Sequence, residues 1–105
     1  MIVRRWHATA TKPNAEAYIR YFDRQVAPAL AKLEGNRGAW LMHRETEQGI
    51  ELVALTLWQS RDSIKAFAGP DIGRAHVEAE ARAVLSRFDD FATHYELDLR
   101  IDRPA

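Results

Sequence analysis

The chain has no cysteine, which excludes disulfides, thiolate nucleophiles and cysteine-based metal sites. It has no surplus of either charge: Lys plus Arg and Asp plus Glu each number 15, so the formal net charge is zero. Phosphate-backbone binders draw their affinity from clustered, uncompensated cations, so nucleic acid is not an expected partner. No apolar stretch approaches the roughly 20 residues that cross a membrane, and no run of like charge marks a tail or a membrane-surface patch. The opening Met1-Ile2-Val3-Arg4-Arg5-Trp6 carries no signal-peptide core, and a cytoplasmic protein is the default expectation. Repeats, low-complexity tracts and linker-like stretches are missing as well, and 105 residues suit a single domain.

What is present reads as alternating strands and helices. Residues 2–10 set Ile2, Trp6 and Ala8 against Val3, His7 and Thr9, a strand ended by Lys12-Pro13-Asn14. Ala15, Tyr18, Ile19, Phe22, Val26, Ala29, Leu30 and Leu33 then follow helical spacing and form one apolar stripe. Gly35 is a plausible stop, and Pro28 predicts a kink or broken turn near residues 24–28. Strands over 38–45 and 50–58 follow, joined through Thr46-Glu47-Gln48-Gly49 as a hairpin. Ser60 caps a short helix to Ala68, ended by Gly69-Pro70. Val77, Ala81, Val84, Leu85 and Phe88 share a face in a helix expected over 75–87. A last strand is expected over 91–99, and 100–105 reads as a polar tail.

The order is β-α-β-β-α-β, an α+β chain whose two crossovers place the helices on one side of a four-stranded antiparallel sheet. The strand over 50–58 is apolar at nearly every position, as strands covered on both faces are. One face meets the helices. A domain this small has nothing left to cover the other, so a homodimer is expected, and twofold pairing is the commonest form.

Five stretches carry a resemblance: Arg5-Trp6-His7, Gly35-Asn36-Arg37-Gly38, Leu57-Trp58-Gln59-Ser60, Ala66-Phe67-Ala68-Gly69-Pro70-Asp71-Ile72 and His94-Tyr95-Glu96-Leu97. Together, in order over about residues 2–97, they resemble the antibiotic biosynthesis monooxygenase-like family of dimeric α+β barrels. The resemblance implies a ferredoxin-like protomer whose sheet packs against a second copy. It also implies a pocket between sheet and helices, and for the oxygenase members a substrate that needs no flavin, haem or metal. Haem-degrading relatives place an asparagine where Trp6 stands and a tryptophan where Phe67 stands. His76 matches their iron ligand only after a one-residue gap. Two of three positions differ, which disfavours haem degradation.

Histidine accepts protons near neutral pH, and a cofactor-free oxygenase needs a base to form an electron-rich substrate anion. His7 and His94 are therefore the first candidates; the first and last strands neighbour one another in such a sheet and are expected to bring them close. The alternative for each is a structural hydrogen bond. His76, expected on the edge of the third helix, is either a partly solvated surface residue or an acid–base group or metal ligand at the pocket lip. His43 reads as an interface or rim residue. The four histidines lack zinc-like spacing, so no metal is expected.

Trp6, Tyr18, Phe22, Phe67 and Trp58 are the rings available to wall a pocket for a small aromatic molecule, with Trp40 as a further one. Core and interface packing is the alternative for each. Arg4 and Arg5 fall on opposite faces of the first strand, so at least one meets a packed layer. A buried guanidinium needs a carboxylate or several acceptors; Glu96 or Asp98 is the expected partner, a substrate oxyanion the other candidate. The leading expectation is a homodimeric cofactor-independent oxygenase. The competing one is a non-catalytic dimeric module that binds a small ligand or a protein. RNA binding, suggested by strand order alone, fails because the third strand lacks an aromatic base-stacking surface.

Overall fold

In the computed structural model, which describes residues 1–104, strand β1 (Ile2–Ala10) buries every second side chain: Ile2, Arg4, Trp6, Ala8 and Ala10. These face the helices, and Val3, Arg5, His7 and Thr9 face the other way. Helix α1 (Lys12–Tyr21) starts with Pro13 in its first turn, where a missing N–H is harmless. It passes through a π-helical turn (Phe22–Val26) into α2 (Ala27–Ala31). Pro28 accounts for that turn: it has no N–H for the Arg24 carbonyl, so the preceding turn widens and the Ala27 N–H bonds the Phe22 carbonyl five residues back. Ala15, Tyr18, Phe22 and Leu30 are the buried residues of this stretch, the stripe its spacing predicts.

Strands β2 (Asn36–Thr46) and β3 (Gly49–Trp58) form the hairpin, and β3 lies antiparallel to β1 along its whole length. Helix α3 (Arg61–Ala68) opens with a reciprocal cap in which the Ser60 hydroxyl accepts from Ser63 N and the Ser63 hydroxyl from Ser60 N. A single helical turn, α4 (Ala79–Arg82), precedes β4 (Arg87–Phe88) and β5 (Thr93–Glu96). The sheet order is β2-β3-β1-β4, with β5 also paired to β1 and every pairing antiparallel. This is the ferredoxin-like α+β arrangement, with helices on one face. Among the described residues no helix is long and apolar enough to cross a membrane.

Two expectations need correction. The helix over 75–87 shrinks to α4 and gives way to β4 at its end, and the strand over 91–99 shortens to β5. The helix is lost because its backbone groups are taken by the free edge of β1 and by residues 90–92. Ser86 N donates to Thr9 O and Asp89 N to His7 O, while Ala75 N bonds Asp90 O and Ala92 N bonds Gly73 O. Groups bound in these ways cannot also close helical turns. Residues 89–92 loop out between β4 and β5, and Phe91 is left exposed with the Arg74 guanidinium 5.3 Å from its ring centre.

The turn into β2 passes close beneath α3. A Cβ on Gly35 would lie 2.1 Å from Ser63 Cβ, and Gln59 N donates to the Gly35 carbonyl. Gly35→Ala must therefore push α3 and its cap outward, an overpacking cost of about 1–3 kcal/mol. Thermal unfolding should show a melting temperature lower by roughly 4–8 °C per kcal/mol; an unchanged melt would refute the close packing.

The open face of the sheet carries Val3, Val53 and Leu55, half buried, with Trp40 (47% exposed), Met42 (44%) and Tyr95 (52%). His7, Glu51 and Arg44 lie together at one end of the same face.

Candidate functional site

A cavity of about 610 Å³ opens between the helix-side face of the sheet and the helices. Its floor is Arg4 and Trp6 of β1 with Ala54 and Thr56 of β3. The small Ala54 directly opposite Trp6 leaves space above the sheet. Tyr18, Tyr21 and Phe22 descend from α1 and the π turn, and Gln25 and Val26 share that wall. The widened turn thus presents residues that a regular helix would rotate elsewhere. Phe67 and Lys65 of α3 close one end, and the extended segment with His76 and Glu78 forms the lip.

The Trp6 indole is fixed by its N–H donating to Asp89 O at 2.8 Å. Its ring centre lies 6.1 Å from that of Tyr18 and 6.4 Å from that of Phe88. Burial pushes the Tyr18 phenol far above its usual range, with Tyr21 adding to the effect. Tyr18 therefore keeps its hydroxyl proton at any ordinary pH and serves as a neutral hydrogen-bonding group.

Of the residues singled out from sequence, Trp6, Tyr18, Phe22, Phe67 and His76 meet at this cavity. The other three do not line it. Trp58 is fully buried behind Phe67, with ring centres 5.7 Å apart and its N–H donating to Thr56 Oγ1 at 2.8 Å. His7 points to the opposite face of the sheet, where Nε2 lies 3.1 Å from Glu51 and Nδ1 3.7 Å from Asp89. His94 is on the helix side, paired across the strands with Arg4, and its Nε2 is buried without a partner among the described residues. The expected closeness of His7 and His94 is thus corrected: the strands do neighbour each other, but alternation sends the two rings to opposite faces. His76 stands in extended chain before α4, exposed at the lip, rather than on the edge of a long helix.

Arg4 differs from expectation too. It is only 6% exposed, yet neither Glu96 nor Asp98 pairs with it; Glu96 lies 3.5 Å from Arg61 instead. Arg4 Nη2 donates to the carbonyls of Ile72 (3.3 Å) and Arg74 (3.2 Å), and the guanidinium carbon sits 5.7 Å from the Phe67 ring centre. The sequence places one of Arg4 and Arg5 in a packed layer, with a carboxylate or a substrate oxyanion as its partner, without deciding between them. The usable signal was parity: Arg4 shares its face with Ile2, Trp6 and Ala8.

Burial, with Arg4 and Arg61 adding, holds the His94 imidazole below its ordinary value of 6.5. Above that value neither the folded nor the unfolded chain protonates there. As pH falls through 6.5 toward the folded value, the unfolded chain takes up a proton that the folded chain refuses. Stability then drops by at most about 1.4 kcal/mol per pH unit. His94→Leu should remove that part of the loss between pH 7.5 and 5.5 in urea unfolding; an identical pH dependence in both proteins would contradict it.

Glu51, on the open face, is held below the usual carboxylate range, chiefly by its hydrogen bond from Arg44 and then by His7. Among the described residues, no group of three or more histidine, aspartate or glutamate side chains is arranged to hold a metal ion.

The sequence matches no protein-family model and no curated protein. Solved structures do match. A variant of MhuD, from Mycobacterium tuberculosis, with two manganese protoporphyrin IX molecules per active site, superposes with a TM-score of 0.70 at 21% identity, over 98% of this chain and 100% of that one. The ActVA-Orf6 monooxygenase of Streptomyces coelicolor, in complex with nanaomycin D, gives 0.67 at 11% identity, over 98% and 92%. A Bacillus cereus protein carrying the antibiotic biosynthesis monooxygenase name gives 0.65 at 14% identity, over 97% of each chain. Across almost its entire length, the chain has the ferredoxin-like α+β fold of the antibiotic biosynthesis monooxygenase structures.

Proposed function

We propose that the protein is a homodimeric oxygenase that takes a flat aromatic or quinol-type substrate into the helix–sheet cavity and uses that substrate as its own reductant. The observation that carries this reading is the cavity itself: about 610 Å³, faced by the rings of Trp6, Tyr18, Tyr21, Phe22 and Phe67. Small-molecule sites typically enclose ~300–1,000 Å³ and are walled by apolar and aromatic groups. The fold it shares with a nanaomycin D-bound monooxygenase supports the same reading by analogy.

For a substrate with an activated ring CH₂ the atoms balance without an outside reductant. A base removes one proton, and the carbanion gives its electrons to dioxygen. One oxygen atom stays on the carbon as a carbonyl, and the other leaves as water with the two hydrogens. We assign proton acceptance to His76, the one histidine lining the cavity, and hydrogen bonding to the developing oxyanion to Tyr18.

The second copy belongs on the open face of the sheet. Val3, Val53, Leu55, Trp40, Met42 and Tyr95 make a mostly apolar surface there, of the kind that marks association sites.

Haem degradation fits these residues poorly. The first-strand position holds Trp6, whose N–H is already bound to Asp89, and Phe67 replaces a tryptophan. Haemin should give no Soret shift that depends on His76; a shift lost in His76→Ala would favour haem.

Oxygen uptake with a panel of anthrones and quinols tests the reading. It should exceed the buffer rate for at least one substrate, and His76→Ala should slow turnover about 10²–10⁴-fold, the usual range for a lost acid–base group. No uptake with any of them would count against catalysis. A second reading, a ligand-binding dimer without turnover, is favoured by His7 and His94 both standing outside the cavity. It predicts a ligand recovered chemically unchanged.

A further inference from the structure

A buried charge calls for a counter-charge or a full set of hydrogen-bond partners, because desolvating an ion without them costs several kcal/mol. Among the described residues Arg4 has neither. Its hydrogen bonds run through Nη2 alone, to two neutral carbonyls, and Nε is buried with no partner among the described residues. Glu96, the carboxylate on the neighbouring strand, is engaged with Arg61 instead. The group paired across the strands from Arg4 is His94, which brings no negative charge.

Arg4 also lines the cavity, along with Lys65, His76 and, among the described residues, a single carboxylate, the exposed Glu78. A space walled by rings therefore has a positive group at its floor and too little negative charge to answer it. We infer that the cavity selects an aromatic anion, an arene bearing a carboxylate or phenolate oxygen, with Arg4 as the partner of that oxygen. This rests on the reading of the cavity as the substrate site and adds the substrate's charge.

The geometry suits such a ligand. The Arg4 guanidinium lies 5.7 Å from the Phe67 ring centre, and Nη1, which makes no hydrogen bond among the described residues, is left to donate to a planar oxyanion. Trp6 stands two residues further along the same face, about 7 Å away. An oxyanion at Arg4 therefore lets the attached rings lie against Trp6, Tyr18 and Phe22. The two carbonyls that Arg4 Nη2 grips tie down the 72–74 segment, and that fixes the guanidinium before any ligand arrives.

Calorimetric titration of the intact protein at pH 8 tests this with two matched pairs, 2-naphthoate against its methyl ester and 4-nitrophenolate against 4-nitroanisole. In at least one pair the anion should bind tenfold or more tightly than its neutral partner. The pair that shows the preference identifies carboxylate or phenolate as the recognised group. Arg4→Met should abolish the preference while neutral probes still bind, and Lys65→Met should keep it. Circular dichroism melting establishes that the variants fold, and the wild-type comparison stands even if Arg4→Met does not. Equal affinity for anion and neutral partner in both pairs would overturn the inference and leave the cavity reading intact. So would a preference that survives Arg4→Met. Failure of all four probes to bind would overturn both.

Discussion

Val3→Asp yields a monomer at micromolar concentration. Val3 lies on the open face, flanked across the strands by Leu57 and Tyr95, with no cation directly opposite. In a twofold dimer each substitution enters the interface twice. Burying an uncompensated carboxylate there costs about 3–5 kcal/mol, so the dimer dissociation constant should rise by at least about a thousandfold. The folded protomer should survive, because Val3 is only partly buried within it. Sedimentation velocity checks this: the wild type should move at twice its 12.0 kDa chain mass and the variant at that mass. A wild-type protein that sediments as a well-folded single chain would refute the pairing of sheets.

The second large effect concerns space rather than charge. Ala54→Phe should fold normally and lose ligand binding and turnover by at least tenfold. Ala54 lies opposite Trp6 on the helix-side face and lines the cavity, so a larger side chain enters volume the fold leaves empty. Gly35→Ala is the converse case, where a single methyl meets the side chain of Ser63 and the helix must yield. Melting and binding, measured on both variants, separate them. Gly35→Ala loses stability, whereas Ala54→Phe keeps its melting temperature and loses its ligand. A phenylalanine at position 54 that leaves binding intact would place the ligand elsewhere.

Much of the architecture was legible because local and tertiary preferences agree over most of the chain. The apolar stripe of residues 15–33 and the disturbance before Pro28, the Ser60 cap and the two-sided apolar run of β3 each state their structure directly. Residues 75–92 do not, because two structures suit them. Val77, Ala81, Val84, Leu85 and Phe88 fit a helix by spacing, yet the unpaired edge of β1 needs backbone partners and takes them from residues 86–89. Periodicity records side-chain faces and is blind to that competition.

The candidate site was legible in part for a similar reason. Composition and spacing select rings, and five of the eight residues chosen do line one cavity. The side of the sheet on which each residue falls depends on register, and there His7 went astray. Arg4 was hidden by its neighbour, since two successive arginines say that one is buried without saying which. Its lack of a carboxylate emerges only once Glu96 is seen to pair with Arg61.

Where a flat aromatic molecule docks can be read from the three tryptophans, which report on it separately. Trp6 lines the cavity, Trp40 lies on the open face, and Trp58 is buried behind Phe67. Indole N–H resonances of ¹⁵N-labelled protein, followed during titration with 2-naphthoate, give the answer in one experiment. Progressive movement of the Trp6 signal with Trp40 unmoved is the predicted result. Movement of Trp40 with Trp6 unmoved would contradict the account.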